Sequence, residues 1–193
     1  MPTRSKINVA LIYGSTREGR LCDKVAGWAS RQVAQHGDFA LDAIDPAALS
    51  LPSRHEVREA PELARLRQRL AWADAFVIVT PEYNHGYPAS LKFLIDSVYG
   101  PWQAKPVAFV AYGGASGGLR AVEQLRPVFA ELHAVTIRDV VSFAQAWQRF
   151  DADGNLSGQA RAHEAMAAML AQLRWWAVAL RTARLAVPYM QAA

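Results

Sequence analysis

Short apolar runs alternate along the chain with longer stretches in which apolar residues recur three and four positions apart. The short runs are Ile7–Tyr13 (INVALIY), Phe39–Ile44, Ala75–Thr80, Val107–Tyr112 and Val135–Val141. Each has the length of a strand, and the segment from Asp74 to Thr80 (DAFVIVT) reads as a strand covered on both faces. Between the first two runs, Leu21 to about His36 places Val25, Trp28, Ala29 and Val33 on one stripe, and Gly37 ends the pattern. Pro61–Ala73, Ala89 to about Tyr99, Leu119–Leu132 and Gln159 to about Leu185 read as further helices. Pro61 suits a first helical turn, and Leu91, Leu94, Ile95 and Val98 face inward. Asp45 to Ala60 has Pro46, Pro52 and no clear period, which predicts a loop that folds over something.

Strands separated by helices predict βαβ units and a parallel sheet wrapped on both sides. Five strands suit a flavodoxin-like three-layer αβα sandwich of order 2-1-3-4-5, with its ligand crevice between strands one and three. The 193 residues suit one domain spanning 1–193.

Composition narrows the partners. Hydrophobic residues make up 52% and charged residues 20%, a globular balance. The net charge of +4 favours anionic small ligands. The basic residues are scattered, with no zinc-finger or RNA-binding signature, so nucleic acid is not an expected partner. The single cysteine, Cys22, excludes an intramolecular disulfide and suits a reducing cytoplasm; it reads as a small helix-face residue. No apolar run approaches membrane-spanning length, and Ile7–Tyr13 is too short for a signal-peptide core. The expected location is cytoplasmic, away from the membrane.

Two loops carry candidate chemistry. Gly14-Ser15-Thr16-Arg17-Glu18-Gly19-Arg20 joins strand one to helix one, where backbone N–H groups and the helix dipole favour an anion. Ser15 and Thr16 add hydroxyl donors, and Arg17 and Arg20 add charge in a fork suited to phosphate. Gly14 and Gly19 have P-loop spacing, but Arg20-Leu21 stands where Lys-Ser/Thr is required, which disfavours an ATP-using enzyme. The second loop, Pro81-Glu82-Tyr83-Asn84-His85-Gly86-Tyr87-Pro88, follows strand three. Its prolines hold the backbone ready for a planar polar ring, and Tyr83 and Tyr87 offer flat faces. The turn Gly113–Gly118 leaves backbone free to approach a ring edge. His36, His55, His85, His133 and His163 include no pair at metal-ligand spacing, and Asp151–Asn155 reads as a turn, so no metal site is expected.

On these residues the chain resembles the NAD(P)H-dependent FMN reductase family of flavodoxin-like proteins, over Ile7 to about Phe143. The family's Gly-Ser-x-Arg-x-x-Ser loop appears at Gly14–Arg20, with Arg20 replacing the serine. Its Pro-Glu-Tyr-Asn motif is matched without change at Pro81–Asn84. The pattern Leu-Lys-Asn-x-Ile-Asp appears at Leu91–Asp96 with Phe93 for asparagine, and Lys105-Pro106-Val107 and Tyr112-Gly113-Gly114 are also present. The resemblance implies that Ser15 and Arg17 hold the FMN phosphate. Pro81, Glu82, Tyr83 and Asn84 would frame the isoalloxazine ring, largely through backbone groups, and Gly113 and Gly114 would pass its pyrimidine edge. It implies FMN as cofactor and NADPH or NADH as hydride donor. The acceptor would be a small molecule: a flavin, quinone, azo compound or metal oxyanion. A homodimer or dimer of dimers is implied as well. The cofactor carries the chemistry, so no general acid or base is assigned. A flavodoxin-like electron carrier or flavin-binding regulator is the alternative reading. Elsewhere, Lys92 and Asp96 are placed to pair, Trp102 to pack at a helix end, and one of Trp175 and Trp176 to enter the core while the other faces an interface.

Overall fold

The computed structural model describes residues 6–52, 54 and 60–191, with only the backbone of Gln159 and Gln191. Strands and helices alternate as the periodicity predicts: β1 (Ile7–Tyr13), α1 (Cys22–Gln35), β2 (Phe39–Ile44), α2 (Pro61–Trp72), β3 (Ala75–Pro81), α3 (Ala89–Asp96), β4 (Pro106–Gly113), α4 (Leu119–Glu131), β5 (Val135–Ala144) and α5 (Gln159–Ala186). Every strand pairing is parallel and the order is β2-β1-β3-β4-β5, the expected flavodoxin-like sheet. Central β3 is buried throughout, as its unbroken apolar run requires.

Alternate residues of each strand serve two cores. Val9 and Leu11 of β1 join Val25 and Trp28 of α1 and Met166 and Leu173 of α5 on one face. Ala10 and Ile12 join Leu66 and Leu70 of α2, Leu91 and Leu94 of α3, and Leu125 and Phe129 of α4 on the other. Among the described residues, no helix is long and apolar enough to cross a membrane.

Several element ends and one packing expectation differ from the sequence reading. Helix α3 stops at Asp96 rather than near Tyr99. The Ser97 hydroxyl donates to Phe93 O (2.6 Å), the Trp102 indole N–H donates to Val98 O (2.6 Å), and Pro101 follows in a 3-10 turn at Gly100–Trp102. Strand β3 extends to Pro81, which pairs with Tyr112, and β5 runs on to Ala144 because Phe143 and Ala144 pair with Tyr112 and Gly113. Neither Trp175 nor Trp176 enters the core; they are 64% and 36% exposed. The buried stripe of α5 passes through Met166, Met169, Leu170, Leu173 and Ala177, and the helical period leaves 175 and 176 on its flank. Trp102 is fully buried, packed against Phe76 and Phe129, and Lys92 pairs with Asp96.

Candidate functional site

The turns after β1, β3 and β4 meet at the carboxyl edge of the sheet, where open α/β folds bind ligands. Close contact between the first two begins at Gly14. Its N–H donates to Val79 O (2.7 Å), and a Cβ there would lie 2.7 Å from that same oxygen, so only glycine lets β1 turn against β3. Ser15 is consequently fully buried, and its hydroxyl lies 2.9 Å from the Tyr83 hydroxyl. The Arg17 guanidinium stacks 3.6 Å from the centre of the Tyr83 ring. Ser15, Thr16 and Arg17 thus face Tyr83, Tyr87 and Ser90 across a cavity of about 320 Å³. Helix α3 opens against it, with Pro88, Ala89 and Ser90 in the lining and no side chain capping its first turn.

Arg20 faces the other way. Its side chain is 7% exposed and donates to Asp45 Oδ1 (2.8 Å), Asp45 Oδ2, Asp23 Oδ1 (2.8 Å) and the Ser15 carbonyl. Its hydrogen bonds to Asp45 raise its pKa above the ordinary arginine value. Asp45 also accepts from Ala47 N (2.9 Å), capping the 3-10 turn Pro46–Ala48. Burial alone would raise the Asp45 carboxyl, but Arg20 and Ala47 outweigh it and hold the pKa below its usual value. Arg17, not Arg20, therefore brings positive charge to the cavity. The loop after β2 does fold over something: Pro46, Leu49, Leu51 and Pro52 line a second cavity of about 260 Å³ against Thr16 and Phe93. Positions 53 and 55–59 of that loop, with His55, lie outside the described residues.

The Pro81–Pro88 segment is a miniature hairpin. Tyr83 N donates to Gly86 O (2.9 Å) and Gly86 N to Tyr83 O (3.1 Å), with Asn84 and His85 between them at φ +49° and +72°. Two successive positive φ values make a tight reversal of type I′ character, which asparagine and histidine tolerate better than most side chains. Gln124 holds the reversal by donating to His85 O (2.8 Å), while the Asn84 and His85 side chains stay exposed.

Glu82 turns inward, 7% exposed, and accepts from Ser116 Oγ (2.7 Å), Arg120 N (3.2 Å) and Arg120 Nη1 (3.0 Å). Burial would raise its carboxyl, but these donors prevail and hold the pKa below its usual value. Its side chain therefore locks the glycine turn Gly113–Gly118 onto the β3 loop, leaving backbone to meet a ligand. Gly118 sits at φ +88°, and a Cβ there would lie 2.6 Å from Tyr112 N. Cys22 is fully buried, and burial raises its thiol pKa, so it packs as a neutral thiol. Among the described residues no group of three or more His, Cys, Asp or Glu could hold a metal ion.

Nine of the ten predicted site residues thus gather along one rim: Ser15, Thr16 and Arg17 at the cavity, Pro81, Glu82, Tyr83 and Asn84 in the hairpin, and Gly113 and Gly114 beside it; Arg20, expected to face phosphate, instead turns behind the loop to Asp45 and Asp23. Asp45, Ser116 and Arg120 were not legible in advance, because only the folded chain brings them to Arg20 and Glu82.

Residues 7–148 match the model of the family described as NADPH-dependent FMN reductase. The chain is 36% identical over 119 residues to the NAD(P)H-dependent FMN reductase C4B3.06c of Schizosaccharomyces pombe, covering 57% of this chain and 60% of that protein. It is 34% identical over 158 residues to the 2-hydroxy-1,4-benzoquinone reductase of a Burkholderia species, covering 78% of this chain and 85% of the relative. Among solved structures, the flavoenzyme NAD(P)H:(acceptor) oxidoreductase FerB from Paracoccus denitrificans superposes with a TM-score of 0.71 at 24% identity, over 88% of this chain and 97% of the other, a likeness of fold. The chain belongs to the NADPH-dependent FMN reductase family.

Proposed function

We propose that this family member is an NAD(P)H-dependent FMN-binding oxidoreductase that reduces a small acceptor such as a flavin, quinone, azo compound or metal oxyanion. The observation that carries this reading is the meeting of the Ser15–Arg17 loop with the Tyr83 hairpin around one cavity, 2.9 Å apart at their hydroxyls. The donor set fits FMN: the Ser15 and Thr16 hydroxyls, the Arg17 guanidinium and the uncapped start of α3 face a single pocket, which suits a phosphate monoester. A rigid turn and side-chain-free glycines lie one and two strands along, which suits a flat polar ring.

Ser15, Thr16 and Arg17 would hold the phosphate, and Arg20 would brace Ser15 from behind. Pro81, Glu82, Tyr83 and Asn84 would present backbone polar groups to the ring, with Glu82 fixing the turn that carries Gly113 and Gly114. Bound FMN supplies the centre that takes hydride from NADPH or NADH and passes its electrons to the acceptor. The protein's part is to bind, orient and screen, so no side chain is given a proton-transfer role. The reading includes a homodimer or dimer of dimers, which sedimentation velocity tests.

The deciding experiment titrates the purified protein with FMN and then adds NADPH or NADH under anaerobic conditions. Quenching of flavin fluorescence followed by rapid loss of its visible absorbance is expected. Absence of FMN binding overturns the reading. Bound flavin that stays oxidised would place the protein with electron carriers or flavin-binding regulators.

A further inference from the structure

We propose that Trp147 is a substrate-contact residue whose indole walls the acceptor site beside the glycine turn and stacks with planar acceptors such as quinones. The proposal rests on the FMN-dependent reading above.

The end of β5 and the glycine turn form one framework. Gln145 N donates to Gly114 O (3.0 Å) and Ser142 Oγ to Gly117 O (2.9 Å). Gln145 then takes φ +49°, an uncommon conformation for a non-glycine residue, and turns the chain into the 3-10 turn Ala146–Gln148. The underside of that turn is anchored. Ala146 is fully buried, and Phe143 and Phe150 flank it, buried and packed edge to face at 5.2 Å. Ser157 closes the segment through two hydrogen bonds to Arg149 O.

On this fixed base Trp147 points outward and is 58% exposed. Its Cη2 would lie 3.8 Å from a Cβ on Gly114, so the rim of the indole stands beside the open side of that glycine, where a side chain would otherwise project. A large aromatic ring left in water at the carboxyl edge of a parallel sheet forgoes the burial that Phe143 and Phe150 obtain. The exposed indole offers a flat ring a face to stack on, and offset stacking on an electron-rich indole favours an electron-poor ring such as a quinone. A charged, non-planar oxidant gains nothing from such a wall.

The test measures steady-state kinetics of the FMN-loaded protein with NADPH as donor, using 1,4-benzoquinone and ferricyanide as acceptors, for wild type and for Trp147→Phe, Trp147→Leu and Trp147→Ala. Stacking predicts that Trp147→Ala and Trp147→Leu raise the KM for benzoquinone roughly five- to tenfold, while Trp147→Phe stays within about twofold. The KM for ferricyanide and the Kd for FMN are expected to change less than about twofold. An unchanged benzoquinone KM in the alanine and leucine variants, with FMN bound, overturns the proposal and leaves the general reading intact. Equal losses toward both acceptors, or no recovery in Trp147→Phe, also overturn it, because they mark a structural role. Failure of the wild type to bind FMN removes the underlying reading instead.

Discussion

The guanidinium of Arg20 grips both carboxylate oxygens of Asp45, a residue 25 positions away at the end of β2. The pair joins the loop after β1 to the loop after β2, and the same guanidinium holds the Ser15 carbonyl. Arg20 therefore acts on the Ser15–Arg17 loop from behind. Arg20→Gln and Asp45→Asn should each weaken FMN binding about three- to tenfold, and the double variant should be little worse than either single one, because both remove one interaction. Calorimetric titration checks this. An arginine bound directly to phosphate would instead leave Asp45→Asn with unchanged or tighter binding.

Ser15 is the buried hydroxyl of that loop. Ser15→Ala should cost FMN affinity about 1.5–3 kcal/mol, the range for a hydrogen bond to a charged group. Riboflavin, which lacks the phosphate, should bind the variant and the wild type alike. Parallel fluorescence titrations with the two flavins separate a phosphate contact from general damage.

The depressed pKa of Glu82 sets an acid-side dependence. Its stabilising bonds are fully present above the ordinary glutamate value of 4.5 and are lost as pH falls through the lower folded value. Glu82→Gln should be less stable than wild type at pH 7, by about 1–3 kcal/mol. The difference should shrink as the pH falls below 4.5 and through the lower folded value. Thermal melts across that range check the convergence.

Lys105, buried at 7% exposure, donates to Leu70 O (3.0 Å) and Ala71 O (3.1 Å) at the end of α2. Burial, with Arg184 adding to it and Asp74 opposing, lowers its pKa from 10.5 to about 8. Between these values the unfolded chain holds a proton that the folded chain has released, so stability from this group rises with pH across the window. The gain is about 3 kcal/mol at most. Lys105→Met should flatten the rise; denaturant titrations of both proteins from pH 7.5 to 10.5 would show whether their difference moves.

Gly118 combines φ +88° with a virtual Cβ 2.6 Å from Tyr112 N. Gly118→Ala should destabilise the fold by more than about 2 kcal/mol, because strain and backbone overlap add. A melting temperature within a degree of wild type would contradict that geometry.

The resemblance and the fold were legible at different depths. The unbroken apolar run of β3 and the stripe Val25, Trp28, Ala29, Val33 declared their elements through spacing alone. The Pro81–Asn84 motif declared its loop, because proline and a residue tolerant of positive φ mark a turn wherever they fall. Element ends were less legible. Helix α3 stops where the Ser97 hydroxyl takes the Phe93 carbonyl and the Trp102 indole takes the Ile95 carbonyl and, just beyond the helix, that of Val98; the Trp102 contacts depend on how the following turn packs.

By itself the sequence determined the alternation of strands and helices, the two core faces and the loops that carry the chemistry, since these follow from local period and backbone preference within a few residues. Only the tertiary structure decided where the long side chains point: Arg20 toward Asp45, Glu82 toward Ser116 and Arg120, and Trp147 out beside Gly114. A side chain with several rotatable bonds chooses among partners that chain closure brings within reach, and that choice lies in the crossing of loops far apart in sequence.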